Sequence, residues 1–432
     1  MSNDNITLDN MNNDDIIVEN TDVALAEETL EAKNTEQATI DSTPEAQEVT
    51  EQATTEATSE QAQQSGKDNK IKVTVVMPIY NAYDYIRPAL DSIITQTLTD
   101  IELICVDDGS TDKSLHVLTE YQKNDDRIRI ITENNAGPSL ARNKGLLRAR
   151  GEFVIFMDAD DFCEPTMLEK LYDLAVSEDL DIAIAKYDIY NNRKAKFEPN
   201  IACDHGELFD GGKIVSPSEF PDQLFQCTTG YVWNKLYRHS FLKEKGLSFD
   251  PELKVFEDTY FVMTSLSLAS KVGKVEKVLI HHRVYSEQAK PKLFRKYYRQ
   301  VPLIYIKIKD FLMSHGMFIP LYQSYLNLSA SRAYKIYNLL WWDAKGVFFN
   351  LYHGEYAELL GWSRATPEDF ESDEVRDFVA NVLMYNHSQY KKREDQGQKV
   401  RPESVGAFLR KQKWWRGFTG FFARLFGKKD KQ

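Results

Sequence analysis

IKVTVVMPIYNAYDYI, residues 71–86, begins as a β-branched apolar run of strand length and passes into apolar positions at helical spacing: Tyr83, Ile86, Leu90, Ile93 and Ile94. Working outward, IELICV (101–106) repeats the strand and SLHVLTEYQK the helix. RIRIIT and SLARNKGLLRAR repeat both again. EFVIFM and PTMLEKLYDLAVSED make a fourth pair, in which Pro165 suits a first helical turn. Alternation with nearly continuous apolar strands predicts an α/β domain whose parallel sheet is covered by helices on both faces. Ligands of such sheets bind beyond the carboxyl ends of the strands. Three polar clusters fall there: Tyr80 and Asn81, then VDDGSTD (106–112), then MDADD (157–161).

Composition divides the 432-residue chain unevenly. Residues 1–70 hold 17 acids and 3 Lys, whereas the remainder is close to neutral with 49 acids and 50 bases. All 51 aromatic residues lie after Lys70, so the leader lacks the side chains that bury most surface, and TEQAT recurs in it at 35–39 and 50–54. This predicts a disordered acidic leader. The four cysteines, Cys105, Cys163, Cys203 and Cys227, form no C-x-x-C pair and read as reduced thiols. With no basic and apolar signal pattern in MSNDNITLDN and no run of 18 apolar residues, the expectation is a cytoplasmic chain. The expected organisation is leader 1–70, an α/β domain 71–290, an aromatic-rich helical region 291–400 and a basic tail 401–432.

In MDADD, an extended backbone puts Asp158 and Asp160 on one face and Ala159 on the other. Two carboxylates on one face suit a hard divalent cation and the diphosphate it neutralises. In VDDGSTD, Asp107 and Asp108 can accept hydrogen bonds from a nucleobase or ribose, Gly109 supplies an unusual backbone angle, and Ser110 or Thr111 caps the next helix. VFEDTYF starts a helix with Glu257 and Asp258. These point about 100° apart, so only one can face a given hydroxyl.

From VTVVMPIYNAYDYI through VDDGSTD, NNAGPSLARNKG and FMDADD, the chain resembles the family 2 glycosyltransferases, which have the Rossmann-like GT-A fold. The resemblance is strong over residues 71–180 and looser to about 285, where YVWNKLYRHSFL and VFEDTYF resemble the acceptor half of bacterial members. It implies a nucleotide-sugar donor, usually a UDP-sugar, and a bound Mn2+ or Mg2+. It further implies that Pro78, Tyr80 and Asn81 border the nucleoside, that Asp107 or Asp108 bonds the uracil, and that Arg142 sits near the nucleotide. Asp158 would face the ribose and sugar, and Asp160 would ligate the metal with His282 as a second ligand, while Asp161 caps the loop. Asp258 would be the general base of an inverting transfer, Glu257 would position the acceptor, and Trp233 and Lys235 would shape the acceptor side.

The tail carries eight basic residues and one acid between Arg410 and Lys431. Trp414, Trp415, Phe418, Phe421, Phe422, Leu425 and Phe426 make one stripe on a helix. That pattern predicts contact with the inner face of the cell membrane rather than with nucleic acid. The resulting expectation is an inverting transferase acting on a polysaccharide or lipid-linked oligosaccharide. A protein-modifying transferase and a non-catalytic sugar-nucleotide-binding module are the alternatives. A processive membrane synthase is disfavoured, because spanning helices and a Q-x-x-R-W motif are missing from the sequence.

Overall fold

The computed structural model describes residues 70–198, 206–284 and 297–396. The expectations for the leader, save Lys70, and for the tail lie outside these residues. Nine strands form one sheet among them: β1 (Val73–Ile79), β2 (Ile101–Asp107), β3 (Ile128–Thr132), β4 (Phe153–Phe156), β5 (Phe162–Cys163), β6 (Ile182–Asn191), β7 (Lys196–Glu198), β8 (Lys235–Arg238) and β9 (Val272–Val284). The order is β3-β2-β1-β4-β8-β6-β9-β5, with β7 paired to β6. β1 to β4 are mutually parallel, as the alternation predicts. β8 runs antiparallel between β4 and β6, β9 is parallel to β6, and β5 is antiparallel to β9.

The crossovers carry α1 (Ile86–Ile94), α2 (Ser114–Asn124) and α3 (Pro138–Arg148), and α4 (Met167–Ser177) follows β5. Side-chain alternation in β1 sends Val73, Val75 and Met77 to the face covered by α1 and α4, and Val76 to the other. On that second face α3 lies close. A Cβ on Gly145 would come within 2.3 Å of Val76 Cγ1, so only glycine fits this approach. Two expectations shift by a turn. Tyr83 is exposed ahead of α1. Pro165 precedes the Thr166 cap of α4 instead of entering its first turn, and its carbonyl accepts the Thr97 N–H at 2.9 Å.

The second half supplies α5 (His239–Glu244), α6 (Glu257–Leu268), α7 (Val301–Ser314), α8 (Tyr322–Leu339), α9 (Trp342–Leu351), α10 (Asp373–Met384) and α11 (His387–Asp395). One apolar cluster runs from Val76, Val154 and Phe156 through Phe261 and Val262 to Ile304, Ile308, Tyr325 and Trp362. The helices after residue 297 therefore share a core with the sheet's second face. Burial of this continuous apolar surface, and not helix propensity, holds them in place. Cys105, Cys163 and Cys227 are buried free thiols, and burial pushes each one's pKa up, so they are inert. Among the described residues no helix is long and apolar enough to cross a membrane.

Candidate active site

The carboxyl ends of β1 and β2 are laced together by short polar side chains. Asn81 adopts a left-handed φ of 50°, and its Oδ1 accepts the Thr111 N–H at 2.8 Å. Its own N–H donates to Ser110 Oγ at 3.1 Å, and the Ala82 and Tyr83 N–H groups donate to Ser114 Oγ and Asp112 Oδ2. The expected capping of α2 by Ser110 or Thr111 is therefore corrected. Both are spent on Asn81, and the Ser114 N–H donates to Asp112 Oδ1 at 2.9 Å. Gly109 has φ +70°, and a Cβ there would lie 2.8 Å from the Asn135 nitrogen, which meets the expectation of an unusual angle. Pro78 pairs with Val106 at the strand end, and Tyr80 stands half exposed beyond it.

Asp107 and Asp108 do different work. Asp108 accepts the Ala136 N–H at 2.7 Å and the Gly137 N–H at 2.9 Å, which ties it to the loop that starts α3. Asp107 is equally buried, its Oδ2 takes only a long bond from the Ser110 N–H at 3.4 Å, and its Oδ1 has no partner. A buried carboxylate oxygen without a donor is costly unless a ligand supplies one. Of the two, Asp107 is the one with an oxygen left for a ligand's donor.

Arg142 gathers the second group. It is buried, its Nη2 donates to Asp158 Oδ1 at 2.8 Å, and its Nη1 donates to Glu257 Oε1 at 3.1 Å. Nη1 also lies 2.9 Å from Asp258 Oδ1, but off the N–H axis, so that contact is an ion pair and the oxygen keeps no hydrogen bond. Burial alone would lower the guanidinium's pKa; the charges of Asp258, Asp158 and Glu257 outweigh it and keep Arg142 protonated. The guanidinium also sits 5.3 Å from the Phe249 ring centroid. Its partners here are three carboxylates from two segments of the fold.

Glu257 and Asp258 open α6 directly after Phe256, whose φ of +57° is left-handed. For a bulky aromatic residue that conformation costs on the order of 1–2 kcal/mol, so its surroundings must enforce it. Burial pushes the Asp258 carboxyl up to about 7. Arg142 opposes the shift, and the Glu257 and Asp158 charges add to it.

Asp160, two residues beyond Asp158, is likewise held well above the usual carboxylate range by burial and by the charges of Asp161 and Asp158. Asp161 is fully buried and does more than cap a loop. It accepts from the Arg283 N–H at 2.8 Å and pairs with His282 Nδ1 at 3.1 Å, joining β9 to MDADD. His282 stacks on Trp233 at 5.1 Å, and Trp233 stacks on Tyr231 at 5.0 Å. The buried Lys235 Nζ donates to the Thr229 and Tyr231 carbonyls and to Asn234 Oδ1, so it braces the backbone under Trp233.

Sequence reading missed Asn143 and Phe249. The Asn143 amide donates to the Phe249 carbonyl and accepts its N–H, both at 2.8 Å. The adjacency of Asn143 to Arg142 was the available signal, but the partner lies 106 residues away.

Residues 74–244 match the family model described as glycosyl transferase family 2. This part of the chain is a family 2 glycosyltransferase domain. Putative glycosyltransferase EpsH of Bacillus subtilis is 35% identical to the chain over 221 residues, 49% of this chain and 61% of that protein. The poly(ribitol-phosphate) beta-glucosyltransferase of Bacillus spizizenii is 33% identical over 211 residues, 47% of this chain and 31% of its own length. The chain thus spans less than two thirds of either relative. The solved structure of S. aureus TarS 1–349 in complex with UDP-GlcNAc aligns with a TM-score of 0.58 at 21% identity, covering 76% of this chain and 93% of that one. The likeness makes the sheet and its helices a GT-A fold.

In the family 2 domain the residues fit the implied Mn2+ or Mg2+ in one specific way. Among the described residues no three His, Cys, Asp or Glu side chains form a metal cage. Mg2+ and its like instead hold one or two carboxylates, waters and substrate phosphates. Asp160, crowded by two like charges, would suit that part, because a cation there would offset the crowding. Ligation by His282 would use Nε2, because Asp161 holds Nδ1, an arrangement that orients metal-binding histidines.

Proposed function

We propose that the family 2 domain transfers a sugar from a UDP-sugar, with inversion at the anomeric carbon, to a hydroxyl of a polysaccharide or lipid-linked oligosaccharide. The observation carrying this reading is Asp258, a carboxylate with an elevated pKa and one oxygen without a hydrogen bond, beside the Asp158 and Asp160 segment. TarS, with the same fold, is solved with UDP and with UDP-GlcNAc, and one relative is a poly(ribitol-phosphate) beta-glucosyltransferase by its description.

In this mechanism Asp107 Oδ1 accepts the uracil N–H, and Pro78, Tyr80 and Asn81 border the nucleoside. Asp158, held by Arg142, faces the ribose and sugar. Asp258 takes the proton from the acceptor hydroxyl as its oxygen bonds to the anomeric carbon, and the bond to the diphosphate breaks with its electron pair leaving on UDP. Asp160, with His282 as a second ligand, would hold a divalent cation, which would supply charge compensation to the diphosphate. Glu257 is committed to Arg142 and so supports the base without competing for the proton.

Calorimetric titration with UDP and Mn2+ tests the donor half. Asp107→Ala and Asp160→Ala are expected to abolish or severely weaken binding while remaining folded. Asp108→Ala is expected instead to lower the melting temperature, by the loss of charge-assisted bonds worth about 1.5–3 kcal/mol each. Wild-type affinity in folded Asp107→Ala and Asp160→Ala variants would sink this assignment.

The same reading puts residues 410–431 on an anionic membrane surface, near lipid-linked acceptors. Cosedimentation with anionic vesicles should be salt-sensitive and lost on truncation after Ser404. Equal sedimentation of intact and truncated protein would remove the membrane contact.

A further inference from the structure

The connection from Phe249 to Phe256 delivers Glu257 and Asp258 into the site, and it is gripped from two directions. From the sheet side, Asn143 bonds both backbone polar groups of Phe249, and the Phe249 ring stacks flat on Phe261 of α6, with centroids 4.1 Å apart and planes 6° apart. From the C-terminal helices, Lys307 on α7 donates to Asp250 Oδ2 at 2.6 Å and to Glu252 Oε2 at 2.7 Å. Asp250 in turn accepts the Glu252 N–H at 2.9 Å, so the lysine closes a small turn. Arg332 on α8 places its guanidinium 5.4 Å from the Phe256 ring centroid. Two cations from two different helices thus meet the two ends of one short connection.

The ordinary alternative is a surface ion pair of little consequence. Three observations argue against it. The Asp250 side chain is only 16% exposed. Lys307 bridges two acids instead of one. Phe256 holds a left-handed φ immediately before the catalytic pair, a conformation that an aromatic residue adopts only where its surroundings impose it. On the helical side the Phe256 ring is met by Arg332.

We infer that Lys307 and Arg332 are positioning residues: through the Asp250–Phe256 connection they fix where Asp258 points relative to the bound sugar, which makes the C-terminal helices part of the transferase machinery. The inference rests on Asp258 as base. It assigns no contact between either cation and substrate, so donor binding should not depend on them.

The test uses the full chain with Mn2+ and a panel of UDP-sugars including UDP-GlcNAc, measuring UDP release with water as acceptor. UDP affinity by calorimetry and the melting temperature are recorded for each variant. Lys307→Ala is expected to lower kcat by about 10-fold or more, since small misplacements of reacting groups are costly. Its UDP affinity should stay within about twofold of wild type, and Lys307→Arg should recover most of the loss. In an Asp258→Asn background, Lys307→Ala should make no further difference to kcat, because a residue acting through Asp258 has nothing left to position. A structural role alone would lower the melting temperature without that non-additivity. Arg332→Gln serves as the second variant should Lys307→Ala fail to fold, with the same pattern expected. Wild-type kcat in these variants, or an equal fractional loss in both backgrounds, would overturn the inference while leaving the proposed function standing. A wild-type protein that neither binds UDP nor releases it would overturn both.

Discussion

Arg142→Ala is expected to destabilise the protein by about 3–5 kcal/mol, the scale for removing one partner from a buried ion-pair cluster. Asp158, Glu257 and Asp258 all converge on this one guanidinium, and α3 presents it from beneath the site. Without it three partly buried carboxylates face one another. Arg142→Lys should recover only part of the loss, because a single ammonium cannot reach three acceptors in the fork geometry. The deficit should also depend on pH with a definite sign. In the variant the folded-state pKa of Asp258 lies further above the unfolded value, so the folded form binds more protons than the unfolded form. Stability is then present at low pH and lost as the pH rises. Wild-type Asp258, raised to about 7, already shows this direction, and Arg142 opposes it. Melting temperatures of the two proteins should therefore differ most near pH 8 and converge toward pH 4. A deficit constant with pH would mean that lost packing against Phe249, and not uncompensated charge, is responsible.

The first half of the fold is legible because three of its four strands are buried on both faces and all four carry their own local signal. Val73–Ile79, Ile101–Asp107 and Phe153–Phe156 are runs that leave no polar face to solvate, so period and length suffice to read them. The second half is harder. β6 and β9 pair along their length with a register break between Ala185 and Tyr187, and β8 enters antiparallel between β4 and β6; none of this is written locally. The helices after residue 297 read as a region of their own, but their apolar faces complete the cluster around Phe156 and Phe261, a pairing that no periodicity encodes.

For the site, the sequence names the acids and leaves their division of labour open. Asp107 and Asp108 are adjacent and chemically identical; what separates them is that the Ala136 and Gly137 N–H groups arrive at Asp108 alone. Glu257 and Asp258 separate in the same way, by which of them hydrogen-bonds Arg142. Each of these partners lies remote in the chain and is brought close only by folding.

The central claim is that Asp258 is the base of the transfer, and Asp258→Asn tests it most directly. The substitution preserves size and removes the proton acceptor, so turnover should fall by about 10²-fold or more, the usual contribution of a positioned base. UDP affinity should stay within about twofold, because donor binding is assigned to Asp107 and Asp160. Wild-type kcat should rise with pH through about 7, as the Asp258 carboxyl loses its proton, and that rise should be missing from the residual activity of the variant. Saturating Mn2+ keeps Asp160 ionised in both proteins, so the difference between the two profiles belongs to Asp258. The measurement is the pH dependence of kcat for UDP release from a UDP-sugar, wild type against Asp258→Asn, with UDP binding titrated in parallel. A large loss of turnover, a flattened profile and retained binding are predicted; near-normal turnover with the same rise through about 7 would contradict the account and pass the role of base to another group.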